Sequence, residues 1–332
     1  MKRGIYTLAN DAVYDQLVAL LNSIQQNSGH IPVCVIAYNN ETERVAAEIA
    51  KRDQVFLLDD PALFQFWEDF SLRVWQTHPT AIKQWKASGI KTQFYRVGEN
   101  HRYAAFDPAA PFDEFIYLDA DTLVMQPLDF MFERLSQADV VVYDFQFKDL
   151  SHIFNVGSEK LSTVFSQERL QRDIFCSGCY ASRRGLFSDA ELTHVVDTLA
   201  QGNAEVLYMG APNQSLLNYM VQINDHSVHN VALEWRDQGK ATGNAVSSNH
   251  FKEKDGLVYD GDNLLSYLHF IGISSKIFRR VCSGENLDFP YRQTFLHYRY
   301  LYGDRPQFEG KAKDYKQPPS LSTRLMKKVG LV

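Results

Sequence analysis

The chain predicts an α/β fold: a mostly parallel, doubly wound central sheet with flanking helices. Three observations predict it. Strand-like apolar runs alternate with helix-period segments through the N-terminal part, the pattern of successive βαβ units. Further buried-strand runs follow at Phe115–Leu118 and Asp139–Tyr143. The first of these ends on Asp119 and Asp121, and an open α/β sheet places its ligands beyond the carboxyl ends of its strands.

Taken in order, Gly4–Ala9 reads as the first strand. Val13, Leu17, Leu20, Leu21 and Ile24 then recur at spacings of three and four, one face of a helix. Pro32–Tyr38 is a second strand, Glu41–Lys51 a second helix and Val55–Leu58 a third, short strand. Phe64–Gly98 is aromatic and irregular, with helical patches that cover a sheet edge. After the Asp119 strand a short helix carries Leu128, Met131, Phe132 and Leu135. Ile174–Ala181 reads as a strand, while Ser188–Gln201 and Pro212–Gln222 read as helices. His226–Arg280 is richer in strand and turn signals, including Asp255-Gly256 and Asp260-Gly261. The sequence divides into a body over 1–309 and a polar, Pro-containing linker with a basic-apolar tail over 310–332.

With 332 residues, 45% of them apolar and 22% charged, the chain can bury a substantial core. A net charge of −6 argues against a general nucleic-acid binder, which carries a basic face. The N-terminus has no apolar signal-peptide core, and no apolar run reaches the ~18 residues of a membrane span, so a cytoplasmic protein is expected. Cys34, Cys176, Cys179 and Cys282 are too few for a disulfide scaffold. Cys176 and Cys179 form a C-x-x-C, but it lies in a strand-like run without further zinc ligands, which favours two small buried residues over redox or zinc chemistry.

The aspartate pair carries the chemistry. Residues two apart in an extended chain point the same way, so Asp119 and Asp121 can share one hard cation. Oxygen ligands suit Mg²⁺ or Mn²⁺, and substrate phosphates complete the shell. The plain alternative is a solvated turn after a core strand. Neither G-x-G-x-x-G nor G-x-x-x-x-G-K-[ST] is present, so a nucleotide here needs metal and side chains in place of a glycine cradle.

These residues resemble family 8 glycosyltransferases, the group that includes glycogenin and bacterial lipopolysaccharide galactosyltransferases. The resemblance is carried by Tyr117-Leu118-Asp119-Ala120-Asp121-Thr122-Leu123-Val124, and by Leu268-His269-Phe270-Ile271-Gly272 followed by Lys276. It implies a GT-A fold, a UDP-sugar donor and Mn²⁺ (or Mg²⁺) held by Asp119, Asp121 and His269. It further implies donor contacts from Ala120, Gly272 and Lys276, although Lys276 sits one residue late and Ile277-Phe278 replaces the family's Pro-Trp. Thr7, Ala9, Asn10 and Tyr14 resemble the uracil-binding start, and Arg102 matches a basic residue that contacts the diphosphate. Phe175-Cys176-Ser177-Gly178 resembles F-N-S-G with cysteine for asparagine, which assigns Ser177 and Gly178 to the donor sugar. Asn213-Gln214 resembles D-Q with asparagine for aspartate, which places both at the transferred sugar as catalytic candidates.

The implied reaction is transfer of a sugar to a hydroxyl with retention of configuration. The acceptor is left open among a carbohydrate, a lipid-linked sugar and a protein. Two rival readings remain. A non-catalytic nucleotide-sugar-binding protein would account for Asn213 and Cys176. A haloacid-dehalogenase-type phosphatase also uses a D-x-D, but needs Thr or Val where Leu123 stands. In the tail, Arg324, Lys327 and Lys328 accompany Leu321, Leu325 and Val329. Such a segment either packs or frays as a terminus, or rests peripherally on the inner face of an anionic membrane.

Overall fold

Seven strands form the central sheet in the computed structural model, which describes residues 1–316. β1 (Arg3–Ala9), β2 (Val33–Ala37) and β3 (Val55–Leu58) run parallel, and β4 (Glu114–Leu118) pairs parallel on the other side of β1. β5 (Thr122–Val124) then leaves the sheet. β6 (Val140–Val142), β7 (Cys179–Arg183) and β8 (Val228–Asn230) complete the order β3-β2-β1-β4-β7-β6-β8. Only β7 is antiparallel to its neighbours, so the expected mostly parallel sheet is present.

Period-two alternation lets both faces of the sheet bury apolar side chains. Ile5, Val33, Val35, Ile116 and Leu118 face α1 (Tyr14–Ser28) and α2 (Glu43–Ile49), which supply Leu17, Leu20, Leu21, Ile24, Val45 and Ile49. Tyr6, Cys34, Ile36, Phe115 and Tyr117 point the other way, toward α3 (Pro61–Thr77). The stretch expected to be irregular opens with this long helix. Asp60 caps it, accepting from the Ala62 and Leu63 N–H groups, and Pro61 occupies its first turn. Phe64, Trp67, Phe70, Val74 and Trp75 line its buried face at spacings of three and four. Those aromatics are a helix period as well as an irregular-looking composition, and the period decides. α4 (Ala81–Ala87) and a 3-10 helix, Val97–Phe106, follow.

Further along lie α5 (Asp129–Arg134), α6 (Leu161–Val164), α7 (Gln167–Arg172), α8 (Asp189–Ala200), α9 (Pro212–Ile223) and α10 (Val231–Glu234). The strand expected over Ile174–Ala181 starts only at Cys179, because the residues before it leave the sheet to reach the cleft described below. β9 (Lys252–Lys254), β10 (Leu257–Asp260) and β11 (Asn263–Leu264) form a meander whose first turn uses Asp255 and Gly256, both at positive φ. β12 (Tyr267–His269) crosses back to pair antiparallel with β5. α11 (Ser275–Cys282) and α12 (Arg292–Arg299) cover that pair with a third apolar cluster containing Leu123, Leu268, Phe270, Phe278 and Phe295. The segment expected to be a linker begins with a short strand, β14 (Lys313–Asp314), parallel to β13 (Leu287–Asp288). The basic-apolar tail lies outside the described residues. Among the described residues, no helix is long and apolar enough to cross a membrane.

Leu268 is fully buried between β12 and the third cluster. Leu268→Ala is expected to destabilise the protein by about 2–5 kcal/mol, read from the urea midpoint, because the cavity forms where two rigid elements meet.

Candidate functional site

Asp119 and Asp121 lie in the turn between β4 and β5. The turn is tied at both ends by its backbone: Asp119 N donates to Gly178 O at 2.8 Å, and Phe270 N donates to Asp121 O at 2.9 Å. Pairing of β12 with β5 sets His269 opposite Thr122. Its Nε2 thereby comes within 3.2 Å of Asp121 Oδ1 and 3.9 Å of Asp119 Oδ2. One ligand atom from each of Asp119, Asp121 and His269 falls within a 4.8 Å cluster.

The remaining oxygen of Asp119 is already engaged. Asp119 Oδ1 accepts from Tyr117 OH at 3.1 Å and pairs with Arg102 at 3.2 Å. Oδ2 is thus the oxygen turned toward His269. Arg102 is buried, and it also donates to Glu99 O, Ser177 O and Ser177 Oγ. Most of its donors are spent on protein, so it braces Asp119 against the Ser177 loop while its edge lines the cleft. Burial disfavours the Arg102 charge, but the Tyr117 hydroxyl and the carboxylates of Asp119 and Glu99 outweigh it and raise its pKa. Burial raises the Glu99 carboxyl, with Arg102 and Arg96 opposing. For His269, burial lowers the pKa, yet the adjacent Asp121 lifts it well above the ordinary imidazole value.

The donor set of two carboxylate oxygens and one imidazole nitrogen fits Mn²⁺ better than Mg²⁺. Gly178 makes room for it. A Cβ there would lie 2.5 Å from His269 Cε1 and 2.9 Å from Asp119 Oδ2.

A cleft of about 720 Å³ opens over this cluster. Ala120, Ser177, Asn213, Gln214 and Gly272 line it together with Asp119, Asp121, His269 and Arg102. Asn213 is buried and its Nδ2 has no partner among the described residues, whereas Gln214 is tied at both ends: Oε1 accepts from Ser177 N and Nε2 donates to His152 O. Five expected donor contacts fall elsewhere. Thr7 and Ala9 are buried within β1, and Asn10 caps the following 3-10 turn and donates to Asn39. Tyr14 turns toward a separate groove, bonding Glu48 beneath the Arg44 guanidinium. Val13, at the end of the 3-10 turn that precedes α1, lines the cleft in its place, beside Leu8, Gln16 and Tyr38. Lys276 is exposed in the first turn of α11, outside the cleft lining, where Ser274 and Ser275 stand.

Residues not singled out in the sequence also converge here. Asp144, just past β6, accepts the Cys176 N–H at 3.1 Å. Glu99, Tyr38, His152 and Tyr208 line the cleft. Asp144 follows a buried strand as Asp119 does, and that signal was available; the other four carry no local signature.

No protein-family model and no curated protein sequence matches the chain. Solved structures do match. An active-site mutant of LgtC superposes with a TM-score of 0.50 at 13% identity, covering 84% of this chain and 95% of that one. The fold is GT-A. Mouse xyloside xylosyltransferase 1 in its apo form gives 0.47 at 11% identity, over 72% of this chain and 91% of that one. Core-mannan synthase A from Aspergillus fumigatus, in an Mn/GDP form, gives 0.42 at 8%, over 69% and 72%. At such identities the likeness concerns the GT-A fold, and the chemistry rests on the residues described above.

Two outcomes follow from the site's geometry. Gly178→Ala is expected to weaken Mn²⁺ binding by about 10–100-fold with the fold retained, measured by titration calorimetry alongside circular dichroism. Because Asp121 keeps His269 protonated above its usual range, metal must displace that proton. Mn²⁺ affinity should therefore fall about tenfold per pH unit as pH drops below the raised pKa, with proton release on binding, and His269→Gln should remove that dependence.

Proposed function

We propose that this chain is a metal-dependent glycosyltransferase that moves a sugar from a UDP-sugar to an acceptor hydroxyl with retention of configuration. The observation that carries the reading is the convergence of Asp119, Asp121 and His269 on one point of a cleft in a GT-A fold. A Mn²⁺ or Mg²⁺ ion bound there would supply Lewis-acid stabilisation of the departing diphosphate. The chain's own residues prepare the site for it. Arg102 and Tyr117 fix Asp119 with Oδ2 turned toward His269, so that it would need no rotamer search to hold an ion there. Arg102 also offsets part of the negative charge of the pair. Leu8, Val13 and the Tyr38 ring offer the base apolar surface, with Gln16 and Arg96 beside them as hydrogen-bond donors. Asn213 offers the donor sugar its unpartnered amide, and Gln214 holds the Ser177 loop against it.

In the reaction, the acceptor oxygen bonds to the anomeric carbon as the bond to the phosphate oxygen breaks. The electron pair leaves with UDP, and the acceptor proton passes to the departing phosphate or to water. We place the protein in the cytoplasm, where nucleotide sugars are available.

A second reading, a non-catalytic nucleotide-sugar-binding protein, is favoured by one observation: both polar ends of Gln214 are occupied by backbone partners. The phosphatase reading is not supported by the residue at its required Thr or Val position, where Leu123 is buried in the third apolar cluster.

UDP with Mn²⁺ at 100 times its Kd should stabilise the protein by about 2.7 kcal/mol, and EDTA, Asp119→Ala or Asp121→Ala should abolish the shift. Binding indifferent to all three would remove the metal bridge. Turnover of radiolabelled UDP-sugars to acceptor or water separates the enzyme from the binding protein. For the enzyme, Asp121→Ala should lower kcat/KM by on the order of 10³-fold.

A further inference from the structure

Beside the cleft, the chain gathers aromatic and basic side chains on one surface. It begins one residue after Asp144, whose carboxylate accepts the Cys176 N–H. Phe145 and Phe147 are half-buried with ring centroids 6.3 Å apart, and Trp235 is half-buried against Tyr143 at 5.4 Å. Three exposed cations lie over these rings. Lys148 Nζ is 4.9 Å from Phe145 and 5.8 Å from Phe147, the Arg236 guanidinium is 5.2 Å from Phe147, and Lys240 Nζ is 5.6 Å from Trp235.

None of the three cations is ion-paired among the described residues. Glu234, the nearby carboxylate on α10, is held by Arg134 at 2.6 Å, which keeps its carboxyl at about 2. Asp237 and Asp149 are exposed and offset part of the positive charge, Asp149 being turned to the Ser151 N–H and His152. Four cation–ring contacts fall on this one patch. In a chain of net charge −6, three exposed cations here stand over apolar rings with no ion-pair partner among the described residues.

We propose that this surface docks the chain on an anionic lipid bilayer. Half-buried rings suit the headgroup level, where one end is apolar and the other wet, and the unpaired cations suit acidic headgroups. A nucleic acid would face the repulsion of the rest of the molecule without a broad basic face. Docking here turns the Asp144–Cys176 side of the cleft toward the membrane, where a lipid-linked acceptor would arrive. The proposal concerns attachment and stands whether or not the chain transfers sugar.

The test uses the full chain in flotation with phosphatidylcholine vesicles, with and without phosphatidylglycerol. Binding is expected only with phosphatidylglycerol and should weaken as salt rises. The triple variant K148A/R236A/K240A should bind on the order of 100-fold more weakly, with an unchanged melting temperature showing that it is folded. A second full-length variant, R324A/K327A/K328A, separates the tail's contribution. The proposal is overturned if the wild type fails to float, if it binds neutral vesicles equally, or if the patch variant binds like the wild type, including the case in which only the tail variant detaches.

Discussion

The antiparallel pairing of Tyr267–His269 with Thr122–Val124 is the constraint on which the site depends. It joins two segments far apart in the chain and fixes the imidazole against a carboxylate pair that would otherwise end at a strand terminus. The ladder is short, and its rigidity comes from what surrounds it. Ser23 Oγ accepts the Val124 N–H, Asn244 O accepts the His269 N–H, and the Phe270, Phe278 and Phe295 rings pack beneath. Hydrogen bonds set the register, and apolar burial keeps it.

Electrostatic order follows from that placement. Two carboxylates held close in a partly buried site repel each other, and the structure answers with a guanidinium on one and an imidazole on the other. Arg102 is buried over the Tyr117 ring at 4.7 Å, so its charge is fixed where water cannot screen it. The 3-10 helix Val97–Phe106 that carries it is packed against α3 by the Ser71–Asn100 bond at 3.0 Å. The aromatic helix thus supports the metal-binding turn through the arginine, although none of its own residues lines the cleft.

The two sides of the cleft have different physical characters. Near β1 and β2 the apolar side chains of Leu8 and Val13 and the Tyr38 ring stand beside Gln16, Arg96 and Glu99. Toward α9 it is polar and tightly cross-linked: Asn218 exchanges hydrogen bonds with the Phe175 N–H and carbonyl, and Gln214 with the Ser177 N–H and the His152 carbonyl. That cross-linking holds the loop over 174–178 away from the sheet, so that Gly178 can sit against His269 and Asp119.

Local periodicity and local chemistry were readable from the residues alone. The strands Arg3–Ala9, Val33–Ala37 and Glu114–Leu118 and the helices Tyr14–Ser28 and Pro212–Ile223 are all legible at separations of two to four residues. The expected convergence of Asp119 and Asp121 is present, but through a turn closed by the Thr122 N–H on the Asp119 carbonyl and not through an extended chain. Tertiary structure alone decided the rest. Which side chain at the entry to α1 meets the cleft depends on how the 3-10 turn Asp11–Val13 runs into the helix, and that junction turns Val13 toward the cleft and Tyr14 toward a separate groove. Whether Arg102 and Gln214 spend their polar groups on ligand or on backbone depends on partners distant in the chain. The aromatic run over α3 shows the same limit from the other side, since its helix period was present but its burial was not. A side chain's direction is set by its nearest neighbours in sequence, and its partners are set by packing, which sequence spacing does not contain.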